Sequence, residues 1–160
     1  MESSLQRPYE VVKNKDWDYS FQTKHGIIYH AYFIEFSNYH PAFSDVYTFN
    51  IEPETDKPHP LDVRISVTVV SILQSFFRDK QRAMLMVCDS LDGKEEKRKN
   101  LFDRWFKKYN DGNIRKYDAS AVTEDYTIYV SIYLHRANPR SHVLLDAFYD
   151  LVKNDFYPID

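Results

Sequence analysis

Residues 82–106 read RAMLMVCDSLDGKEEKRKNLFDRWF, and the order of residue types along this stretch points to the class of fold. Ala83 to Cys88 is an unbroken apolar run with charge on either side, the pattern of a short strand covered on both faces. Such a strand lies inside a sheet. Asp89 and Ser90 end the run. Asp92 stands three positions before Glu95, the spacing of a helix-opening capping box, and Leu91 ahead of it suits packing at the helix entrance. Leu101, Phe102, Trp105, Phe106 and Tyr109 then form one apolar stripe of a helix.

The other side of that helix is basic. From Lys94 to Lys108 seven basic residues outweigh three acidic ones, whereas the whole chain carries −3, so positive charge is concentrated here. Backbone N–H groups at the helix start, with Lys94 and Arg98 one turn apart, suit an anion such as phosphate. A solvated outer face is the stronger reading, because Asp89, Asp92, Glu95 and Glu96 repel a phosphate there. Asp89-x-x-Asp92 offers too few ligands for a cation, so no metal site is expected.

Composition narrows the class further. A chain of 160 residues is most simply one domain, long enough to bury roughly two-thirds of its unfolded surface without disulfides or a structural metal. Residues 1–15 read as a loose tail or a first strand. The lone Cys88 excludes an internal disulfide and fits a reducing, cytoplasmic setting. No run approaches membrane-spanning length, and the N-terminus lacks the apolar centre of a signal peptide. With 13 Tyr, 11 Phe and 2 Trp against 3 Gly, the chain is rich in aromatics and poor in the glycine that phosphate loops need. No cofactor is expected. So many tyrosine hydroxyls require partners, which predicts a sheet with one wet, tyrosine-bearing face.

Outward from the anchor, the N-terminal side alternates. Trp17, Tyr19, Phe21 and Thr23 face one way and Asp18, Ser20 and Gln22 the other; Lys24-His25-Gly26 turns into a second arm from Ile27 to Phe36. That arm is apolar on both faces and is expected to be interior; His30 within it reads as a satisfied histidine. Asp45 to Glu52 is a third strand, followed by the linker PETDKPHP. From Asp62 to Lys80 a strand-like alternation competes with a broad helical face; length favours a helix with Asp62 as its cap.

On the C-terminal side, residues 110–113 form a turn and Ile114 to Asp118 a short strand. Tyr126 to His135 is longer. Tyr126, Ile128, Val130, Ile132 and Leu134 face one way; Thr127, Tyr129, Ser131, Tyr133 and His135 face the other and are expected to form an exposed polar-aromatic surface. Asn138-Pro139 starts a last helix with the stripe Leu144, Leu145, Phe148, Leu151 and Val152. The predicted order is β-β-β-α-β-α-β-β-α, an α+β fold with a single mostly antiparallel sheet and helices packed mainly on one face.

These same stretches, FQTKHGIIYHAYF, VYTF, DVRISVTVVSILQSFF and CDSLDGKEEKRKNLFDRWF, resemble a family of small bacterial proteins, mainly from Bacteroidota, catalogued as a domain of unknown function. The resemblance runs over residues 17–152 and is most specific in the CDS–DGK–R–LFDRWF block. It implies a soluble single domain and carries over no activity, cofactor or catalytic residue.

Three functions follow in order of support. The first is a non-enzymatic module that docks on a protein partner, since aromatic residues are favoured at interfaces and no catalytic constellation is present. The second is binding of a nucleotide or single-stranded nucleic acid, with bases stacked on Tyr129 or Tyr133 and phosphates held by Lys94, Arg98 and Arg104. The third is a metal-assisted or acid–base hydrolase using Asp89, Asp92 and His135, with Ser90 as nucleophile. No membrane partner is expected, and a homo-oligomer is compatible with the sequence.

Overall fold

The structure, a computed structural model, describes residues 7–37, 41–58, 62–89, 103–108, 110–122, 124–125 and 127–155. Its strands are β1 (Val12–Lys15), β2 (Asp18–Gln22), β3 (Ile28–Glu35), β4 (Val46–Pro53), β5 (Ala83–Asp89), β6 (Ile114–Val122) and β7 (Thr127–His135). Its helices are α1 (Val63–Phe76), α2 (103–108) and α3 (Ser141–Asp155). The seven strands form one sheet in the order β1-β2-β3-β4-β5-β7-β6. Four of its neighbouring pairs, β1–β2, β2–β3, β5–β7 and β6–β7, are antiparallel, and β4 with β5 is parallel, giving the mostly antiparallel α+β fold expected. β3 and β5 are inner strands, as their two-sided apolarity requires. Two compact units divide the chain, one within Met1–Ile34 and Phe49–Arg78, the other within Glu35–Thr48 and Asp79–Asp160.

The first unit is built on aromatic stacking. Along α1, Ile65, Val69, Ile72 and Phe76 recur at helical spacing and are buried. Phe76 stacks on Phe33 at 4.5 Å and 3°, and Phe21 stacks on Tyr29 at 5.4 Å and 7°. The helix starts where expected, with the Asp62 carboxylate accepting from the Ile65 N–H at 3.2 Å. It ends earlier, at Phe76, where the Phe77 N–H still reaches the Leu73 carbonyl but the chain turns away through Asp79. Tyr9 fastens the segment ahead of β1. Its hydroxyl donates to Asp62 at 2.8 Å, its backbone N–H donates to the Thr68 hydroxyl at 2.8 Å, and the Arg64 guanidinium sits 3.9 Å from its ring centre. His30 is satisfied as expected, by Glu54 at 2.7 Å.

A hairpin the alternation concealed opens this unit. β1 pairs with β2 across Asp16-Trp17, so Trp17 is a turn residue with φ of 67°. A left-handed tryptophan is unfavourable by itself, and nothing in the local sequence marks a turn. Its ring meets Phe33 at 5.8 Å and Phe76 at 5.9 Å, and that packing offsets the backbone strain.

In the second unit the core lies between one face of β5, β6 and β7 and the apolar stripe of α3. Leu85, Ile128, Val130, Ile132 and Leu134 pack with Leu144, Phe148, Leu151 and Val152. Arg140 holds the start of α3 to the segment ahead of β4, donating to the Ser44 and Ala42 carbonyls at 2.9 and 2.7 Å. β6 runs to Val122, four residues past the expected Asp118. The charged Asp118 reads locally as the end of a strand; in the fold it has side-chain partners and the ladder continues through it.

Candidate functional site

The strand β7 decides which side chains gather where. Because side chains alternate along a strand, Ile128, Val130, Ile132 and Leu134 enter the α3 core and Tyr129, Ser131 and Tyr133 occupy the opposite face. The middle of that second face, at Ser131 and Tyr133, is covered, contrary to expectation. Phe106 of α2 meets Tyr133 edge-on at 5.5 Å, and Tyr133 is only 4 % exposed, with Ser131 also buried. The apolar side of α2 required a cover, and the tyrosine face of the sheet supplies it.

Register then builds a polar cluster beside these rings. On β6, Lys116 lies opposite Tyr133 and Asp118 opposite Ser131, two residues apart and therefore on the same face. The Lys116 ammonium is 2.5 Å from an Asp103 oxygen on α2 and 2.7 Å from Asp118 Oδ1, and its side chain is 11 % exposed. Ser131 Oγ also donates to Asp118 Oδ1. A nearly buried ammonium is tolerable only with such partners. Held between carboxylates on α2 and β6, the Lys116 ammonium fastens α2 to the sheet.

Backbone directions along β6 follow from one bond. The Arg136 N–H donates to the Asn113 carbonyl at 2.8 Å, just beyond the Ile114–His135 pair. In an antiparallel ladder bonded and non-bonded pairs alternate, so residues 115, 117, 119 and 121 turn their backbone groups toward β7. Ile114, Lys116, Asp118 and Ser120 turn theirs outward, along the outer edge of the last strand in the sheet. At Ile114 the Asn110 side chain takes that role: its amide donates to the Ile114 carbonyl at 2.9 Å and its oxygen accepts the Ile114 N–H at 3.4 Å. Beside it, the backbone N–H of Asn113 holds the exposed Asp111 carboxyl below its usual pKa. The strand closes on Val122, 62 % exposed.

The two ends of the sheet differ in kind. β1 has four residues, two of them lysines, and its register shifts between Lys13 and Lys15, all features that discourage further pairing. β6 has nine residues in unbroken register with β7. The long, regular edge is the candidate functional site.

Of the sequence-predicted site residues, Asp89, Arg104, Tyr129, Tyr133 and His135 lie within the described residues. Asp89 closes β5 with its backbone opposite Ile128. Ser90, Asp92, Lys94 and Arg98 lie outside the described residues. Arg104 is exposed on α2, Tyr129 is half-buried, and Tyr133 is buried beneath Phe106. His135 ends β7, its Nδ1 accepting from the Ala137 N–H at 3.0 Å. Sequence reading missed Asp103, Lys116, Asp118 and Ser131. The available signal was a lysine and an aspartate two apart in a strand, which place opposite charges side by side on one face. Among the described residues no group of three or more His, Cys, Asp or Glu side chains is placed to hold a metal ion, and no helix is long and apolar enough to cross a membrane.

These features define an aromatic-rich α+β protein with one seven-stranded sheet and a long regular strand at one end. Residues 61–150, more than half of the chain, match a family of unknown function, DUF6169, and the chain belongs to that family. The matched stretch takes in α1 and the whole of β5, β6 and β7. No curated protein matched.

Proposed function

We propose that the protein is a non-enzymatic interaction module that docks a protein strand along the outer edge of β6. One observation carries this reading: nine residues in regular register end the sheet with the backbone groups of Lys116 and Asp118 directed away from β7. Such an edge is a template for an added strand, backbone bonds supplying affinity and alternate side chains selectivity. Asp118, 51 % exposed, has Oδ1 engaged by Lys116 and Ser131 and faces the incoming strand, which favours a basic residue opposite it. A cytoplasmic setting belongs to the same proposal and is supported by the single cysteine.

Nucleotide or single-stranded nucleic-acid binding draws less support, because stacking on Tyr133 requires the ring that Phe106 covers. The docking proposal is tested with an array of extended peptides probed by the unmodified chain and by Ser120→Pro. Residue 120 turns its backbone outward, so proline there blocks the edge while sparing the bonds to β7. Binders with Lys or Arg at alternate positions, lost in Ser120→Pro, are expected. Binding that Ser120→Pro leaves unchanged, or no binder at all, refutes the proposal.

A further inference from the structure

We infer that the strand docked on β6 is the β6 of a second copy of this chain, antiparallel to the first about a two-fold axis through Tyr117. The inference rests on the proposed docking edge and names its occupant. Its basis is charge complementarity within IRKYDASAV itself. In a continuous sheet built about a two-fold axis, residues directly opposite each other share a face, so only registers centred on a residue are available. Centring on Lys116 sets the two lysines opposite each other, and centring on Asp118 does the same for the aspartates; both arrangements are destabilising. Centring on Ala119 sets Asp118 against Ser120 and Lys116 against Val122, placing neither charge opposite its complement on the second copy. Centring on Tyr117 sets Lys116 against Asp118 of the second copy, and Asp118 against its Lys116. Among registers centred on residues 116 to 119, that one pairs opposite charges twice.

Backbone geometry agrees with this register. Lys116 and Asp118 turn their N–H and C=O groups outward, so the two Lys116–Asp118 pairs between copies are the bonded pairs of the new ladder. The ladder stops after them, because the next position is Ile114, whose backbone groups Asn110 already occupies. Tyr117 and its counterpart form the closely spaced, non-bonded pair on the axis. The opposite end of the sheet is the alternative partner for a copy's β6, and its short, bulged, lysine-bearing β1 is poorly suited to the role. Pairing β6 with β6 also closes the assembly at two copies, whereas β6 with β1 repeats without end.

The test combines mass and geometry. Light scattering behind size exclusion, with the unmodified chain at about 100 µM, is expected to read twice the 19.1 kDa chain mass. In the Tyr117-centred register residue 115 faces residue 119 of the second copy as a non-bonded pair, at a separation a disulfide spans. Arg115→Cys/Ala119→Cys, made with Cys88→Ser, is therefore expected to oxidise to a covalent dimer, while neither single cysteine variant does. A single-copy mass with no covalent dimer overturns the inference; a two-copy mass without the 115–119 disulfide overturns the Tyr117 register.

Should the cysteine pair not fold, amide exchange of the unmodified chain decides. Protection of the Lys116 and Asp118 N–H groups rising about tenfold over a hundredfold rise in concentration supports the pairing, and concentration-independent exchange overturns it. The docking proposal fails separately. If the chain is single-copy yet still binds extended peptides in a manner Ser120→Pro abolishes, the edge is a docking site and its occupant is another protein.

Discussion

Replacing Lys116 by methionine tests how α2 is held to the sheet. The substitution keeps the length of the side chain and removes its charge, taking from Asp103 and Asp118 the one ammonium that both approach, at 2.5 and 2.7 Å. Breaking a deeply buried pair by removing one partner costs about 3–5 kcal/mol. Here Lys116 is nearly buried but Asp103 is 32 % exposed and Asp118 more so, and water screens the two carboxylates. The cost is therefore about 1–3 kcal/mol, or a fall in Tm of roughly 2–12 °C for a chain of this size. Urea denaturation followed by tryptophan fluorescence measures it, since Trp105 lies on α2 and Trp17 in the first unit. A double-mutant cycle separates the pair from its surroundings. Asp103→Asn alone is expected to cost less than Lys116→Met, and the two together less than their sum by about 1 kcal/mol. A Lys116→Met chain within about 0.5 kcal/mol of the unmodified one, or a cycle with no coupling, refutes the clamp.

Further outcomes follow from other contacts. Asp62→Ala removes the α1 cap and the acceptor for the Tyr9 hydroxyl together, and is expected to lower stability by about 1–2 kcal/mol in a thermal melt followed by circular dichroism. Asp45 holds φ of 61°, so Asp45→Gly is expected to be more stable than Asp45→Ala by about 1 kcal/mol under the same melt; equal stabilities remove the strain argument. Burial raises the Tyr9 hydroxyl above its ordinary pKa of 10.0, reinforced by its bond to Asp62 and opposed by the Lys24 N–H. A raised folded-state value means that this stabilisation is complete below pH 10.0 and is lost as pH climbs through the folded value. Tyr9→Phe, which keeps the ring against Phe21, is expected to be less stable at neutral pH and to lose less stability between neutral and alkaline pH, as read by denaturation at each pH.

Much of the architecture was legible because it is periodic. The unbroken run at β5, the alternation of β7, the stripe of α3 and the Asp62 cap each express a rule within a few residues, and each element forms where that rule places it. The turn at Asp16-Trp17 was not legible, because its left-handed tryptophan is tolerated through contacts with Phe33 and Phe76, distant in sequence. The length of β6 was hidden for a related reason. Asp118 reads as a strand end until Lys116 and Ser131 satisfy its carboxylate.

The site shows the same division. By itself the sequence determined that Tyr129, Ser131 and Tyr133 share a face and that Lys116 and Asp118 share another strand's face, since both facts are consequences of the two-residue repeat. Only the tertiary structure decided that those faces coincide, that α2 covers them, and that Asp103 completes the charge around Lys116. The reason is physical. Periodicity states which side chains point the same way along one element, but not which element lies opposite. That is set by strand register and helix packing, which join residues with no relation in the order of the chain.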